Sequence, residues 1–497
     1  MNQNDMNRIL EIGVLLSSER NLNRLLERIL VCVMELTNCD AGTLYLLDDN
    51  ALHFKIMRNN TMKTYSGGDG RDPDLPPVPL SRENVCALAL LDNETIVVDD
   101  VRNSSRYDFS GPIRYDAMTG YHTQSMLVVP MHNREGHDIG VLQMINALDD
   151  QGNVCGFARD MVLLVESVAS QAAITIQNVR YIEEIKGLFQ SFVRVMSSAV
   201  DERTPYNGSH TRHMAACGDL FLDYLNQKDQ EAGREAYFTP ARREELLMSV
   251  WFHDIGKLVT PLEVMNKEAR LLPRQQDQFA HRMETVEMTA RIRHLEGQIT
   301  EKDEQETREL VQYAVSLVEA VNRAGFITDD RMEALEELYR RTWTGLDGNP
   351  HPWLTEEEWQ MLSIRKGTLS EKERQVMENH VVVTDKLLSQ IQFSRDLSHV
   401  RQWAADHHEL LNGSGYPLGK KQGEISREVR IITILDIFDA LVADDRPYKP
   451  GMPPERAVGI LQNMAEKEGR LDPELTRLFV ESRCWEHVNR SRKETWE

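Results

Sequence analysis

Apolar residues recur at helical spacing through Ile9, Ile12, Leu16, Leu22, Leu25, Leu26, Ile29, Leu30 and Val33, which predicts an amphipathic helix over residues 7–36. The pattern then turns strand-like at Thr43–Leu47, Leu52–Met57, Thr95–Val98, Met126–Met131 and Ile139–Ile145. Gly67 to Pro79 is rich in Gly, Pro and Asp, residues that favour turns, and reads as a loop. A helix, several strands and a closing helix describe one α/β domain of sensor size.

From Arg159 to Met196 the helical spacing returns at Leu164, Val168, Ala172, Ile176, Val179, Ile182, Ile185, Phe189, Phe192 and Met196, without a proline and with Gly187 as its only glycine. The period drifts between three and four, as it does in coiled coils. The run predicts a long connecting helix that pairs with a second copy of the chain; the alternative is a helix packed on its own domain. After Val200 the chain reads as helical, with no alternating strand. Leu271 to Arg365 is acidic and amphipathic, contains a turn-rich patch at Gly345–Pro352, and separates two motif-bearing parts.

A chain of 497 residues is too long for one core and suggests roughly three domains of ~150 residues. No apolar run approaches the ~18–20 residues of a membrane span, and the opening Met-Asn-Gln-Asn-Asp lacks the basic-then-apolar pattern of a secretory signal. The expected location is cytoplasmic. Six scattered cysteines (Cys32, Cys39, Cys86, Cys155, Cys217, Cys484) form no Cys-x-x-Cys pair, so they read as packing residues rather than a disulfide framework or a thiolate metal site. A formal charge of −22 disfavours DNA and anionic membranes as partners. If the substrate is a phosphate ester, metal ions and a few Lys or Arg side chains must concentrate positive charge locally.

Of 15 histidines, 11 fall between His210 and His487. The string His253-Asp254-Ile255-Gly256-Lys257 follows the apolar segment Leu246 to Phe252. On a helix, His253 and Lys257 stand one turn apart with Asp254 beside them. An adjacent His and Asp suit two neighbouring metals, the carboxylate bridging both and the imidazole capping one. A second string runs His407-His408-Glu409-Leu410-Leu411-Asn412-Gly413-Ser414-Gly415-Tyr416-Pro417, where two consecutive imidazoles can serve different metals before a sharp turn. In a third, Ile434-Leu435-Asp436-Ile437-Phe438-Asp439-Ala440, carboxylates on an apolar helix are costly to bury unless paired or metal-bound.

Together with Asp201-Glu202-Arg203-Thr204-Pro205-Tyr206-Asn207-Gly208-Ser209-His210, Gly367-Thr368-Leu369-Ser370 leading to His380, and Arg446-Pro447-Tyr448-Lys449, these strings resemble the HD-GYP branch of the HD phosphohydrolases over about residues 200–480. The resemblance implies an all-α metallohydrolase domain that opens cyclic di-GMP to linear pGpG and continues in some members to GMP. It implies His210, His253, Asp254, His380, His407, His408 and Asp436 as metal ligands. Asp254 is then the bridging and catalytic carboxylate, and Lys257 the catalytic and phosphate-contacting cation. Arg446 and Lys449 hold substrate phosphate, and Gly415, Tyr416 and Pro417 shape the substrate loop. Two divalent ions are implied, iron first and manganese second; Glu202 is a weaker candidate for a third. Such ions, about 3.5–4 Å apart, activate a water and clamp the phosphodiester for in-line attack. Departures from the family pattern are the helical insertion at about 271–365, His213 where Arg is usual, Asn412 for Asp, and one extra residue between Asp436 and Arg446.

Thr119-Gly120-Tyr121-His122-Thr123-Gln124-Ser125-Met126-Leu127-Val128-Val129-Pro130-Met131, continued by Gly140-Val141-Leu142-Gln143-Met144-Ile145-Asn146, is similar to the GAF domains of cyclic-nucleotide phosphodiesterases. It implies an antiparallel sheet with helices; the Asn-Lys, Phe and Asp-Glu pattern of members that bind cyclic nucleotides is matched only partly by Asn146-Ala147, Phe157 and Asp160-Met161, so a site for a small molecule or cyclic nucleotide and a purely structural or dimerising role are both open. The expected organisation is a multidomain chain: a GAF domain at 1–158, a connecting helix at 159–199, the metallohydrolase domain at 200–480 and a tail at 481–497. Its expected partners are a cyclic dinucleotide substrate and a second copy paired through the GAF domain and the connecting helix. A receptor that senses the dinucleotide without hydrolysing it, and a hydrolase for cyclic GMP-AMP, are the competing readings.

Overall fold

The computed structural model describes residue 19 and residues 21–68, 73–133, 135–203, 209–443 and 451–488. The chain divides into two compact units, Met1–Gln190 and Ser191–Glu497.

In the first unit, α1 (Leu22–Thr37) begins where the Asn21 side chain accepts from the Arg24 amide, and ends at Asn38 in the left-handed region. The expected helix between residues 7 and 18 lies outside the described residues. The strands β1 (Cys39–Asp48), β2 (Ala51–Asn59), β3 (Thr64–Gly67), β4 (Val78–Pro79), β5 (Ile96–Val98), β6 (Met126–His132), β7 (Asp138–Leu148) and β8 (Val154–Cys155) form one sheet. Its order is β3-β2-β1-β7-β6-β5, with β4 on β2 and β8 on β7, and its pairings are antiparallel.

Alternation decides which face each residue joins. Leu44, Leu46, Leu127, Val129, Met131, Leu142 and Met144 pack in one core with α1 and the start of a long helix. Tyr45, Met126, Val128 and Val141 pack on the other side with α2 (Val85–Asp92) and Phe109. The sequence pattern missed α2 and α3 (Ser110–Thr119): each is under three turns, too short for a periodic signal, and α2 is apolar around its circumference.

The long helix, α4, runs Arg159–Asp201. By length and composition it qualifies as a membrane span, yet Val162, Val165, Val168, Ala172, Ile176 and Val179 are buried in the first unit's core. Farther along, Ile182, Ile185, Leu188, Phe192 and Val195 are exposed.

The second unit holds α5 (His210–Glu231), α6 (Pro240–Phe252), a 3-10 turn (Ile255–Val259) and α7 (Leu262–Met265). Then come α8 (Pro273–Leu295), α9 (Glu301–Asn322), α10 (Asp329–Arg340), α11 (Glu356–Leu362), α12 (Glu371–Glu378), α13 (His380–Leu388), α14 (Val400–Ala405), α15 (Arg427–Val442), α16 (Pro454–Glu466) and α17 (Pro473–Ser482). Met214, Phe221, Leu222, Leu246, Val250, Ile431, Leu435, Leu461 and Phe479 centre its main core. The region expected to be wholly helical also contains a small ribbon, Thr342–Thr344 paired with Pro350–Pro352, around the turn-rich patch.

The insertion has a core of its own, built on Phe279, Met283, Val286, Val311, Val318, Leu335, Trp353 and Leu362. Its two ends meet at a neck. Lys267 pairs with Glu373 at 2.7 Å, and the fully buried Arg270 donates to the carbonyls of Val321, Ala324 and Ile364. Because the neck is closed, some hundred residues leave and rejoin the chain without separating α7 from α12; these two helices remain in contact.

Candidate metal centre

Five chain segments converge, each for a local reason. α6 starts at Pro240 under the Thr239 cap and ends at Phe252, so His253 is its C-cap and Asp254 opens the 3-10 turn. The sequence reading had placed this string on one continuous helix. In a 3-10 turn residues i and i+3 eclipse, which sets Lys257 over Asp254, with Nζ to Oδ2 at 2.5 Å. Gly256 is required here: a Cβ would stand 1.9 Å from the His380 carbonyl oxygen. Thr384 fastens the same contact, its hydroxyl donating to the His253 carbonyl at 3.1 Å and accepting from the Gly256 amide at 3.0 Å. His407 and His408 follow α14, and the Thr433 hydroxyl on α15 donates to the His407 carbonyl at 2.8 Å. His210 opens α5, and Asp436 lies in the middle of α15.

The side chains form two groups. His210, His253 and Asp254 bring their ligand atoms within 4.8 Å of one another, and so do His380, His407 and His408. Asp254 spans the groups: Oδ2 is 3.2 Å from His253 Nε2 and 3.9 Å from His210 Nε2, while Oδ1 is 3.4 Å from His380 Nε2 and 4.0 Å from His407 Nε2. Asp436 does the same, with Oδ1 3.4 Å from His210 Nε2 and Oδ2 3.6 Å from His408 Nδ1.

The outer nitrogens determine the tautomers. Nδ1 of His253, His380 and His407 lies 2.6–2.7 Å from the carbonyl three residues earlier, at Val250, Met377 and Ala404. A carbonyl only accepts, so each Nδ1 carries a proton, and in the neutral ring this leaves Nε2 with its lone pair facing inward. The inward atoms His253 Nε2, His380 Nε2, His407 Nε2 and Asp254 Oδ1 are buried with no hydrogen-bond partner. Four acceptors facing one another with no donor among them is costly, about 1–3 kcal/mol for each unsatisfied group. Divalent cations satisfy all of them at once, and a mixed imidazole and carboxylate set suits first-row metals. The donor set fits a pair of such ions.

Charge is arranged to match. Burial favours neutral His210, but Asp436 and Asp439 outweigh it and carry its pKa up to about 10. Burial alone would raise Asp254 and Asp436; the surrounding imidazoles, and Lys257 at Asp254, hold both well below the usual carboxylate range. Burial lowers His380 and His407 and drives His408 down to about 4, so these rings are neutral at physiological pH.

Around this centre the loop containing Gly415, Tyr416 and Pro417 folds back on His408. The Tyr416 amide donates to the His408 carbonyl at 3.2 Å, the two rings lie 4.7 Å apart, and a Cβ on Gly415 would meet the Leu410 amide nitrogen at 2.4 Å. Arg446 and Lys449 lie outside the described residues. Glu202 is exposed, whereas its neighbour Asp201 is buried, with a pKa pushed up to about 6 mainly by burial.

Sequence reasoning marked Asp439 only as a carboxylate to be paired or metal-bound if buried and did not assign it to His210, whose Nδ1 its Oδ2 meets at 2.6 Å. Nor did it find Glu409, whose carboxylate accepts from the Leu418 and Lys420 amides and holds the far side of the loop. For Asp439 the signal was its position three residues after Asp436 on an apolar helix; for Glu409 there was none.

The family described as HD domain matches residues 357–475, and the family described as GAF domain matches residues 21–176. The chain carries both domains, a GAF domain with its antiparallel sheet and a mostly helical region containing the HD domain. The HD domain and the two side-chain groups imply divalent metal binding. Among curated relatives, a 3'3'-cGAMP-specific phosphodiesterase of Vibrio cholerae is 38% identical over 22% of this chain and 23% of its own length. A cyclic di-GMP phosphodiesterase of Pseudomonas aeruginosa is 41% identical over 15% of this chain and 17% of its own. A cyclic di-GMP phosphodiesterase of Thermotoga maritima is 33% identical over 24% and 31%. The chain thus spans less than a third of the length of each of these relatives.

Proposed function

We propose that the second unit hydrolyses a cyclic dinucleotide, cyclic di-GMP first, releasing pGpG and then GMP, in the cytoplasm and under control of the GAF domain. The observation that carries this reading is the pair of ligand groups joined by Asp254 and Asp436, with four buried acceptors lacking partners. The ligands are His210, His253, Asp254, His380, His407, His408 and Asp436, and iron is the expected metal, with manganese as substitute. Two such ions, when bound, acidify a water and draw electron density from the phosphodiester.

The chain's own groups do the rest. The carbonyls behind His253, His380 and His407 hold the rings in one orientation. Lys257 stays cationic, since Asp254 offsets the effect of burial and raises its pKa, and so offers its ammonium to a phosphate oxygen. Arg446 and Lys449 supply further phosphate contacts. Tyr416, half-buried beside His408, gives a flat wall for the substrate, with Gly415 and Pro417 shaping the turn. The exposed stripe Ile182, Ile185, Leu188, Phe192 and Val195 on α4 supports pairing of two chains along that helix. The working boundaries are 1–158 for the GAF domain, 159–199 for the connecting helix, 200–480 for the hydrolase with its insertion at about 271–365, and 481–497 for the tail.

A second reading keeps the chemistry and changes the base: a relative with 38% identity is named as specific for 3'3'-cGAMP. The test is to incubate protein loaded with iron or manganese under reducing conditions with each dinucleotide and to separate the products by chromatography. Linear product from cyclic di-GMP supports the first reading, and product from cyclic GMP-AMP alone supports the second. Tight binding by metal-replete protein with no product from either overturns both in favour of a receptor.

A further inference from the structure

The spacing of the cysteines hides a pair. Cys217 on α5 and Cys484 just after α17 are 267 residues apart, yet their sulfurs stand 2.9 Å from each other. Both are buried, at 7% and 2% exposure. The approach follows from the backbone: α17 ends at Ser482, and its C-cap Arg483 adopts a left-handed φ of 47° and turns Cys484 inward. Trp485 then packs on Phe438 and Phe479 at ring distances of 5.0 and 5.2 Å.

The pair is also placed to meet a small oxidant. Cys217 and Trp485, the neighbour of Cys484, line a cavity of about 240 Å³ together with His210, His213, Phe438 and Asp439, so the cavity runs from the back of the metal centre to the near sulfur of the pair, and the Cys484 sulfur lies 2.9 Å behind that one. The two thiols are unequal. Burial alone would raise Cys484, but the Cys217 thiol, the Ser482 hydroxyl and local amides outweigh it and lower its pKa; Cys217 is raised, chiefly by its contact with Cys484. A better thiolate beside a protonated thiol is the arrangement that closes to a disulfide after one oxidation.

We propose that Cys217 and Cys484 are a redox couple that a peroxide closes to an intramolecular disulfide, clasping the C-terminal segment to the helix that carries His210. The Cys484 thiolate attacks one oxygen of hydrogen peroxide, the O–O bond breaks, and a sulfenic acid and hydroxide form. The Cys217 sulfur then attacks the sulfenic sulfur; the S–S bond forms, the S–O bond breaks, and the leaving hydroxide departs as water with the Cys217 proton. Two thiols lose two electrons in all, and one peroxide becomes two waters. Cys217 sits seven residues, about two helical turns, after His210, so the clasp acts on the element that supplies a metal ligand.

The full chain, reduced and freed of reductant, is treated with one equivalent of hydrogen peroxide, denatured and titrated for thiols. It should lose two of its six thiols and run faster on a non-reducing denaturing gel, because the link closes a loop of some 267 residues. Peptide mapping should join the Cys217 and Cys484 peptides, and dithiothreitol should reverse every change. Amide exchange across residues 473–488 should slow at least tenfold in the oxidised form. Cys217→Ser and Cys484→Ala should each abolish the cross-link; if either folds poorly, the map of the unsubstituted chain still decides. Six remaining thiols, a cross-link through another cysteine, over-oxidation of Cys484 without a link, or unchanged exchange in the linked protein would each overturn the proposal.

Discussion

Each unit buries a polar cluster, and the two are built on opposite plans. In the first unit, Asp40 accepts from Tyr121 and from the Thr61 amide and hydroxyl. Asn146 accepts from the Gln124 and Ser125 amides and donates to Tyr121 and the His122 carbonyl. Asp116 accepts from Arg102 and from the Thr123 amide and hydroxyl. Every donor meets an acceptor, and the cluster ties β1, β6 and β7 to the loop before β6. In the second unit the outer atoms of the His and Asp cluster are as well satisfied, but on its inside His253 Nε2, His380 Nε2, His407 Nε2 and Asp254 Oδ1 have no hydrogen-bond partner. A closed network holds a fold, whereas one left open on the inside at the same depth holds a ligand. The protein tolerates the open cluster because its scaffold, through Gly256, Thr384, Thr433 and the i−3 carbonyls, over-determines each side chain.

This contrast can be broken most severely at Asp254. Asp254→Ala or His253→Ala should bring cyclic di-GMP turnover to background and empty at least one metal position, read by product chromatography and metal analysis, with far-UV circular dichroism preserved. Retained turnover would mean that the open cluster is not the catalytic one. The reverse experiment is Asn146→Ala in the closed cluster. It strands two backbone amides and forces alanine into a left-handed φ of 57°, at a cost of about 3 kcal/mol. Thermal unfolding of the first unit should fall while metal content stays unchanged. Between these lies Asp439→Asn, which weakens the outer partner of His210. Metal affinity by competition with a chelator should drop about 10–100-fold, while Asp439→Glu should recover part of the loss.

The smallest effect is a pH profile of metal-free protein. His408 titrates near 4 in the folded state against an unfolded value near 6.5. The unfolded chain therefore binds more protons between those values, and stability falls as pH drops through that window. His210 is shifted the other way, to about 10, so its contribution is present below about 6.5 and is lost as pH rises toward 10. The unfolding temperature of the second unit should peak near neutral pH and decline on both sides. Metal loading should raise the maximum and steepen the acid limb, since bound ions exclude protons from the rings of the folded chain while the unfolded chain still takes them up. A profile that rises monotonically would contradict the assigned protonation states.

Much of this protein was determined by local chemistry. The strand alternation in Met126–Met131 and the unbroken helical period from Arg159 onward need only neighbours along the chain, so both are legible without a fold. Short, apolar α2 carried no period to read, and the ribbon at Thr342–Pro352 is held by pairing between its strands rather than by alternation. The family resemblance nominated seven side chains for metal, but which of them meet was decided in three dimensions. Asp254 and Asp436 lie 182 residues apart, and only the packing of α5, α6, α13, α14 and α15 lets each face both groups. The same holds for Asp439 behind His210 and for Cys217 against Cys484: contacts between distant segments are fixed by how helices pack, and spacing in sequence does not encode that.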